Sequence, residues 1–292
     1  MKSAALLLMC FVCCLSTLRA QRFDYPVPPD SIVGSKERAE YMARHFWSER
    51  TATDFTLFDK PRLLQDYIYL LGLLDEDSRN ECVASFVQMV SKSEQAFTLM
   101  TYWLDVILYN SSSKHYDEEL YIVFLQAILN APVTETLKLV PENRMKSVQK
   151  NRVGHKANDF QFIDKQGRRH HLYDMEAPYI LLIFNSPECS RCQQTETELM
   201  TDSILQVCLK NLDVMILAIT PEADRSTWEC HEYPRTWIPG YDSKGRIYKK
   251  RLYDIQSLPC IYLLDAEKKV LIKEADHPRL RTCLEVLNGA PM

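Results

Sequence analysis

The chain has 292 residues, 46% of them hydrophobic and 25% charged, with a formal net charge of −4. That length accommodates about two domains, and that composition excludes global disorder. The acidic balance excludes a general electrostatic attraction to nucleic acid or anionic lipid.

The amino terminus reads as a secretion signal: Lys2, an apolar run from Ala4 to Leu15, then Leu18-Arg19-Ala20 before Gln21. The run is too short to span a bilayer, and the small Ala20 suits cleavage, giving a signal peptide over residues 1–20. Cys13 and Cys14 make a lipoprotein the second reading, but Phe11-Val12-Cys13 lacks the small residues that such a signal carries ahead of its cysteine. No later segment is apolar enough to be transmembrane, so the mature protein is expected to be soluble and exported. Cleavage would remove Lys2 and Arg19 and take the net charge to −6, and would leave seven of the ten cysteines. An odd number in an exported protein leaves at least one thiol free or paired between molecules.

Residues 21–34 form a proline-rich, extended lead-in. From Ser35 to about Gln149 the pattern is helical. Pro61 suits a first helical turn after Asp59, and Leu63, Leu64, Tyr67, Ile68, Leu71 and Leu74 recur at three and four. Val83, Phe86, Val87 and Val90 continue the period, then Phe97, Met100, Trp103, Leu104 and Ile107. After the polar break Asn110-Ser111-Ser112-Ser113 come Leu120, Tyr121, Phe124, Leu125 and Ile128. Five or six packed helices are expected, an all-α domain over residues 21–150. His45, Trp47, Cys82 and His115 stand alone there, as packing or surface residues rather than ligands.

From residue 151 to 292 the pattern changes to strands alternating with helices. Phe160 to Ile163, a turn over Asp164 to Gly167, and His170 to Leu172 read as a hairpin. Tyr179 to Ile183 is an unbroken apolar run, as is Val214 to Ile219, the pattern of parallel strands covered on both faces. Between them Gln193 to Lys210 reads as one helix with Leu199, Ile204, Leu205 and Leu209 inward. Ile261 to Asp265 and Val270 to Ile272 make a second hairpin, and Leu280 to Leu287 a closing helix. Strands and helices alternate first, then a hairpin plus helix ends the domain; that is the element order of a thioredoxin fold. The fold class is therefore α/β at the C-terminus, preceded by the all-α domain.

The chemistry sits at the strand-to-helix junction Phe184-Asn185-Ser186-Pro187-Glu188-Cys189-Ser190-Arg191-Cys192. Cys189 falls just ahead of the helix or in its first turn, where unpaired N–H groups and the helix dipole favour a thiolate. Cys192 lies about one turn further and can close a short disulfide. Zinc would need a second ligand pair, and Cys208, Cys230-His231, Cys260 and Cys283 do not supply one. No metal or other cofactor is expected. A static structural disulfide is a further alternative. Peroxidase chemistry would want a proline where Leu182 stands. A redox-active dithiol is the favoured reading.

Three ordered blocks resemble a known family. Val153-Gly154-His155-Lys156-Ala157-Asn158-Asp159-Phe160 is similar to the entry strand of TlpA/ResA-like thioredoxin-fold proteins. Cys189-Ser190-Arg191-Cys192 is similar to their active site, and Ser257-Leu258-Pro259 ahead of Ile261 to their cis-proline loop. With the helical half, where Glu37 to Tyr41, His45-Phe46-Trp47 and Glu118 to Tyr121 contribute, the chain resembles an exported bacterial two-domain type. In that type the helical part is a domain of unknown function.

The resemblance implies Cys189 as the nucleophile, Cys192 as the resolving thiol, a Cys189–Cys192 disulfide, and Pro259 in cis with the Leu258 backbone pairing with substrate. An ordinary trans turn proline is the alternative at Pro259. The implied partners are a protein disulfide and an upstream thiol electron donor, in the periplasm. Some residues depart from the family's pattern. Glu188 replaces the tryptophan common before the first cysteine and opposes thiolate formation. Ile183 stands where thioredoxin buries an acid, Glu196 or Glu198 being candidate proton relays instead. Cys260 beside the proline reads as a core residue or as a third thiol near the groove. Two functions follow: a thiol–disulfide oxidoreductase, as a reductase of protein disulfides, or a partner-binding protein that uses the fold as a scaffold.

Overall fold

The computed structural model describes residues 23–289 apart from 58, 59 and 223; the expected signal peptide and the expected Asp59 cap lie outside the described residues. Contacts divide the chain into two compact units. The first runs to residue 142 except for 110–112, which group with the second unit, residues 143 onward.

Short polar residues set the helix boundaries of the first unit. Thr51 and Asp54 cap each other's backbone at the start of α2 (Ala52–Leu57), after α1 (Ser35–His45). After α3 (Lys60–Gly72), the Asp75 side chain accepts from Ser78 N at 2.9 Å and opens α4 (Glu76–Val90). Ser93 opens α5 (Glu94–Leu104), which runs on as a π-helical turn over Asp105–Tyr109. Asp117 opens α6 (Glu118–Asn130), and α7 (Glu135–Val148) follows. The described residues of the helical half, 35–148, thus hold seven α-helices where five or six were expected, because these caps cut a continuous apolar period into shorter pieces. The core between them is aromatic: Trp47 stacks on Phe86 with centroids 4.9 Å apart, and Tyr67 donates to the Cys82 carbonyl at 2.9 Å. Trp47 and Cys82 are buried and His45 is exposed, stacked on Tyr41.

The second unit is built on one sheet of order β2-β1-β5-β4-β3-β6-β7. Its strands are β1 (Gln161–Ile163), β2 (Arg169–His171), β3 (Tyr179–Phe184), β4 (Val214–Thr220), β5 (Trp237–Tyr241), β6 (Cys260–Asp265) and β7 (Val270–Ile272). β3 pairs with β4 in parallel and with β6 antiparallel, so it is an interior strand with a neighbour on each side. Its unbroken apolar sequence follows from burial on both faces. Ile180, Leu182 and Phe184 enter one core cluster with Phe160, Phe162, Tyr253 and Tyr262. Leu181 and Ile183 enter the other, which takes in Leu199 of α8 (Ser190–Thr201), Leu205 and Leu209 of α9 (Ser203–Asn211), and Leu280 and Leu284 of α12 (His277–Leu287).

Two elements differ from the sequence reading. The single helix expected over Gln193 to Lys210 is two, broken at Asp202, whose extended backbone (ψ 103) ends α8 while its side chain accepts from Ile204 N and Leu205 N. β5 is a strand that the sequence pattern does not show, because Pro239 and Gly240 interrupt it. β1 reaches β5 only at Tyr241, so Pro239 lies on a stretch with a single neighbouring strand. A Cβ at Gly240 would sit 2.5 Å from both Ile219 and Phe162, which explains the glycine. Two short helices, α10 (Arg225–Cys230) and α11 (Arg246–Lys249), flank β5.

Candidate active site

β3 delivers the chain to the site. Past Phe184, the Asn185 N–H donates to the Ile219 carbonyl of β4 at 2.9 Å, holding the connection against the sheet. Pro187 is buried and Glu188 exposed, and Cys189 is the N-cap of α8, its sulfur accepting from Cys192 N at 3.2 Å. The Gln193 side chain donates to the Pro187 carbonyl at 2.9 Å and fixes the turn from below. Cys189 and Cys192 are joined by a disulfide with Cα atoms 5.2 Å apart. Cys189 is half-buried, whereas Cys192 is 6% exposed. A reagent arriving from solvent therefore meets Cys189 first.

The loop ahead of β6 closes the site on its other side. The Leu258–Pro259 peptide is cis, and the Leu258 carbonyl oxygen lies 3.6 Å from Cys189 Sγ. Leu258, Pro259, Cys189 and Cys192, separate in sequence, are thus brought to one place. Beside them runs a cleft of about 250 Å³ whose walls include Arg191, Thr195 and Glu198 of α8, Pro259, and Asp276 and His277 at the start of α12. Its lining is mostly polar, the reverse of an apolar ligand pocket.

Cys260 pairs with Phe184 across β3 and β6 and belongs to the cluster of Phe184 and Tyr262, on the sheet face away from α8. Burial pushes its thiol well up, and the Glu274 carboxylate adds to the effect, so it is held as an unreactive thiol. Burial likewise raises Cys82, Cys208 and Cys283. Cys230 is exposed. Among the described residues, no group of three or more His, Cys, Asp or Glu is placed to hold a metal ion.

A polar chain flanks α8 on the β4 side. The carboxylate of Glu196 lies 3.7 Å from His231 Nε2, and the His231 ring meets the Tyr233 ring edge-on at 4.5 Å. Tyr233 OH is 3.1 Å from Thr220 Oγ1, which donates to buried Asn185 at 3.4 Å. Burial raises the Tyr233 phenol; the Thr220 hydrogen bond opposes this and the Glu196 charge adds to it. Glu196 stood out in the sequence as a helix acid. Tyr233 and Thr220 did not, and Asn185 and His231 figured only in the loop ahead of Cys189 and in the Cys230-His231 pair, because the ends of β3 and β4 and the β4–β5 connection bring the four together and no spacing links them. Glu198 instead accepts from Gln194 at 2.8 Å on the helix surface.

Residues 12–151 match a family described as a domain of unknown function (DUF5106). Over 91% of this chain and 99% of its own, the solved structure of a thioredoxin-like protein from Bacteroides caccae is similar at 30% identity with a TM-score of 0.82. The C-terminal domain of an uncharacterized protein from Bacteroides fragilis is 32% identical, covering 46% of this chain and 97% of its own (TM-score 0.45). The thioredoxin domain of a thiol-disulfide oxidoreductase from Bacteroides vulgatus is 21% identical over 47% of this chain and 97% of its own (TM-score 0.39). No curated protein matches the chain.

Proposed function

This chain belongs to the family of two-domain proteins that join an N-terminal DUF5106 helical domain to a C-terminal thioredoxin-like domain, and from that premise we propose that it is a thiol–disulfide oxidoreductase working as a reductase of protein disulfides. The observation that carries the reading is the Cys189–Cys192 disulfide at the N-terminus of α8 with the Leu258 carbonyl 3.6 Å from Cys189 Sγ. In the reduced protein the Cys189 thiolate, favoured by the helix terminus, attacks a substrate disulfide. One substrate sulfur leaves as a thiolate and takes a proton; the other is held in a mixed disulfide with Cys189. The Cys192 sulfur then attacks Cys189 Sγ, closes the 189–192 disulfide and releases the second substrate thiol. Two electrons and two protons have passed to the substrate, and an upstream thiol donor restores the dithiol. Leu258, beside the sulfur, offers backbone for a substrate strand to pair with.

The same reading has the chain exported to the periplasm after removal of residues 1–20. The run Ala4 to Leu15 and the small Ala20 support this. Among the described residues, no helix is long and apolar enough to cross a membrane.

Alkylation with peptide mass mapping tests the site. After mild reduction, iodoacetamide should modify Cys189 before Cys192. Labelling of Cys192 first, or native disulfides joining either residue to another cysteine, would contradict the assignment.

A further inference from the structure

The block His45-Phe46-Trp47 closes α1, and the redox reading leaves it without a part to play. Trp47 is 5% exposed and stacks on Phe86 of α4. Its indole Nε1 is buried and has no hydrogen-bond partner among the described residues. Few buried donors in native folds are left this way, so an acceptor from outside the chain is called for. Trp47 also forms part of the wall of a cleft of about 350 Å³ in the helical unit, a volume suited to a small organic molecule.

Helical spacing builds one side of this cleft. Glu81, Cys82, Ser85, Phe86 and Met89 recur at three and four along α4 and so share one face. Tyr67 of α3, bonded through its hydroxyl to the Cys82 carbonyl, pins α3 to that face. On the other side, the Arg50 N–H donates to the Trp47 carbonyl at 3.0 Å, a turn that keeps both residues in the wall. The charge is unbalanced. Among the described residues of the wall, Arg44, Arg50 and Lys92 stand against one carboxylate, Glu81. Arg44 already takes Glu81 at 2.7 Å, so no acid in the wall is left for exposed Lys92. Aromatic and thioether surface, surplus positive charge and a buried donor thus meet in one cleft.

We propose that this cleft binds a small organic carboxylate with a ring-sized apolar body, a property of the helical unit that does not rest on the dithiol reading. The apolar body lies against Phe86 and Met89. One carboxylate oxygen accepts from the Trp47 indole N–H, and the Lys92 and Arg50 cations neutralise the group. A neutral molecule of the same shape gains little from those cations, and a cationic one is repelled by them.

Isothermal titration calorimetry of the full chain with 2-naphthoate, phenylacetate and the carboxamide of each tests this. At least one carboxylate should bind at a single site with a Kd of about 1 mM or tighter. Its carboxamide should bind about tenfold more weakly or not at all. Trp47→Phe keeps a ring on Phe86 and removes the N–H, and should weaken binding by about tenfold. Lys92→Met should weaken it by about threefold and flatten its dependence on salt. No binding of either carboxylate up to about 5 mM overturns the proposal. So does a carboxamide, or 2-naphthylmethylamine, that binds as tightly as the carboxylate. Unaltered affinity in folded Trp47→Phe also overturns it, and if that variant does not fold, unaltered affinity in Lys92→Met does.

Discussion

Asp164, in the β1–β2 turn, accepts from the Gln166 and Arg168 backbone N–H groups at 2.9 Å, from Arg168 Nε at 2.7 Å and from His170 Nε2 at 2.9 Å. Burial alone would raise its pKa. The His170 and Arg168 donors outweigh that and hold the carboxyl well below the usual carboxylate range. A depressed folded-state pKa contributes stability that is fully present above the unfolded value, about 3.9, and is lost as pH falls toward the folded one. Wild type should therefore lose stability on acidification below about pH 4 more steeply than Asp164→Asn, although it is the more stable of the two at pH 6. Urea midpoints measured from pH 6 to pH 2.5 check this; parallel curves for the two proteins would contradict it.

Two joints decide how the second unit's elements meet its site. Asp202 ends α8 and starts α9, and its carboxylate also lies 3.3 Å from both Arg281 and His277 of α12. Asp202→Ala should cost about 1 kcal/mol of stability through the lost cap, read as a lower denaturant midpoint with an unchanged slope. Lys165 closes the other joint. Its ammonium donates to the carbonyls of Trp228, Glu229 and His231 at the C-terminus of α10 and lies 4.5 Å over the Trp228 ring. Lys165→Met leaves three carbonyls without this donor, so amide exchange over residues 226–233 should quicken while β3 and β6 stay protected.

These joints also show where sequence reasoning stops. β3 and β4 were legible because strands covered on both faces are written as continuous apolar runs, and β6 and β7 because two apolar runs flank a polar turn. The break at Asp202 was not, since Leu199, Ile204, Leu205 and Leu209 keep one helical phase across it. β5 carries a proline and a glycine that mark turns in most settings, and only its neighbours Phe162 and Ile219 explain them. At the site, the dithiol and the Leu258–Pro259 loop were legible because each is a local motif. The polar chain from Glu196 to Asn185 exists only through the parallel crossover from β4 to β5.

At the scale of the molecule, the two units carry separate cores: aromatic in the helical unit, and two aliphatic-aromatic layers either side of the sheet in the other. The redox reading assigns all its chemistry to the second unit, and the proposed export would place it in a compartment where a disulfide can persist. Protein recovered from the periplasm should begin at Gln21 by intact mass, and retention of residues 1–20 would remove the export proposal. The most direct measurement of the central claim is turnover of insulin disulfides with dithiothreitol as donor, comparing wild type, Cys189→Ser and Cys192→Ser. The account predicts turnover by wild type, none above background by Cys189→Ser, and a trapped Cys189–insulin mixed disulfide with Cys192→Ser. Turnover by Cys189→Ser equal to wild type, or no turnover by the folded wild-type protein, would contradict it and favour a thioredoxin fold that serves as scaffold.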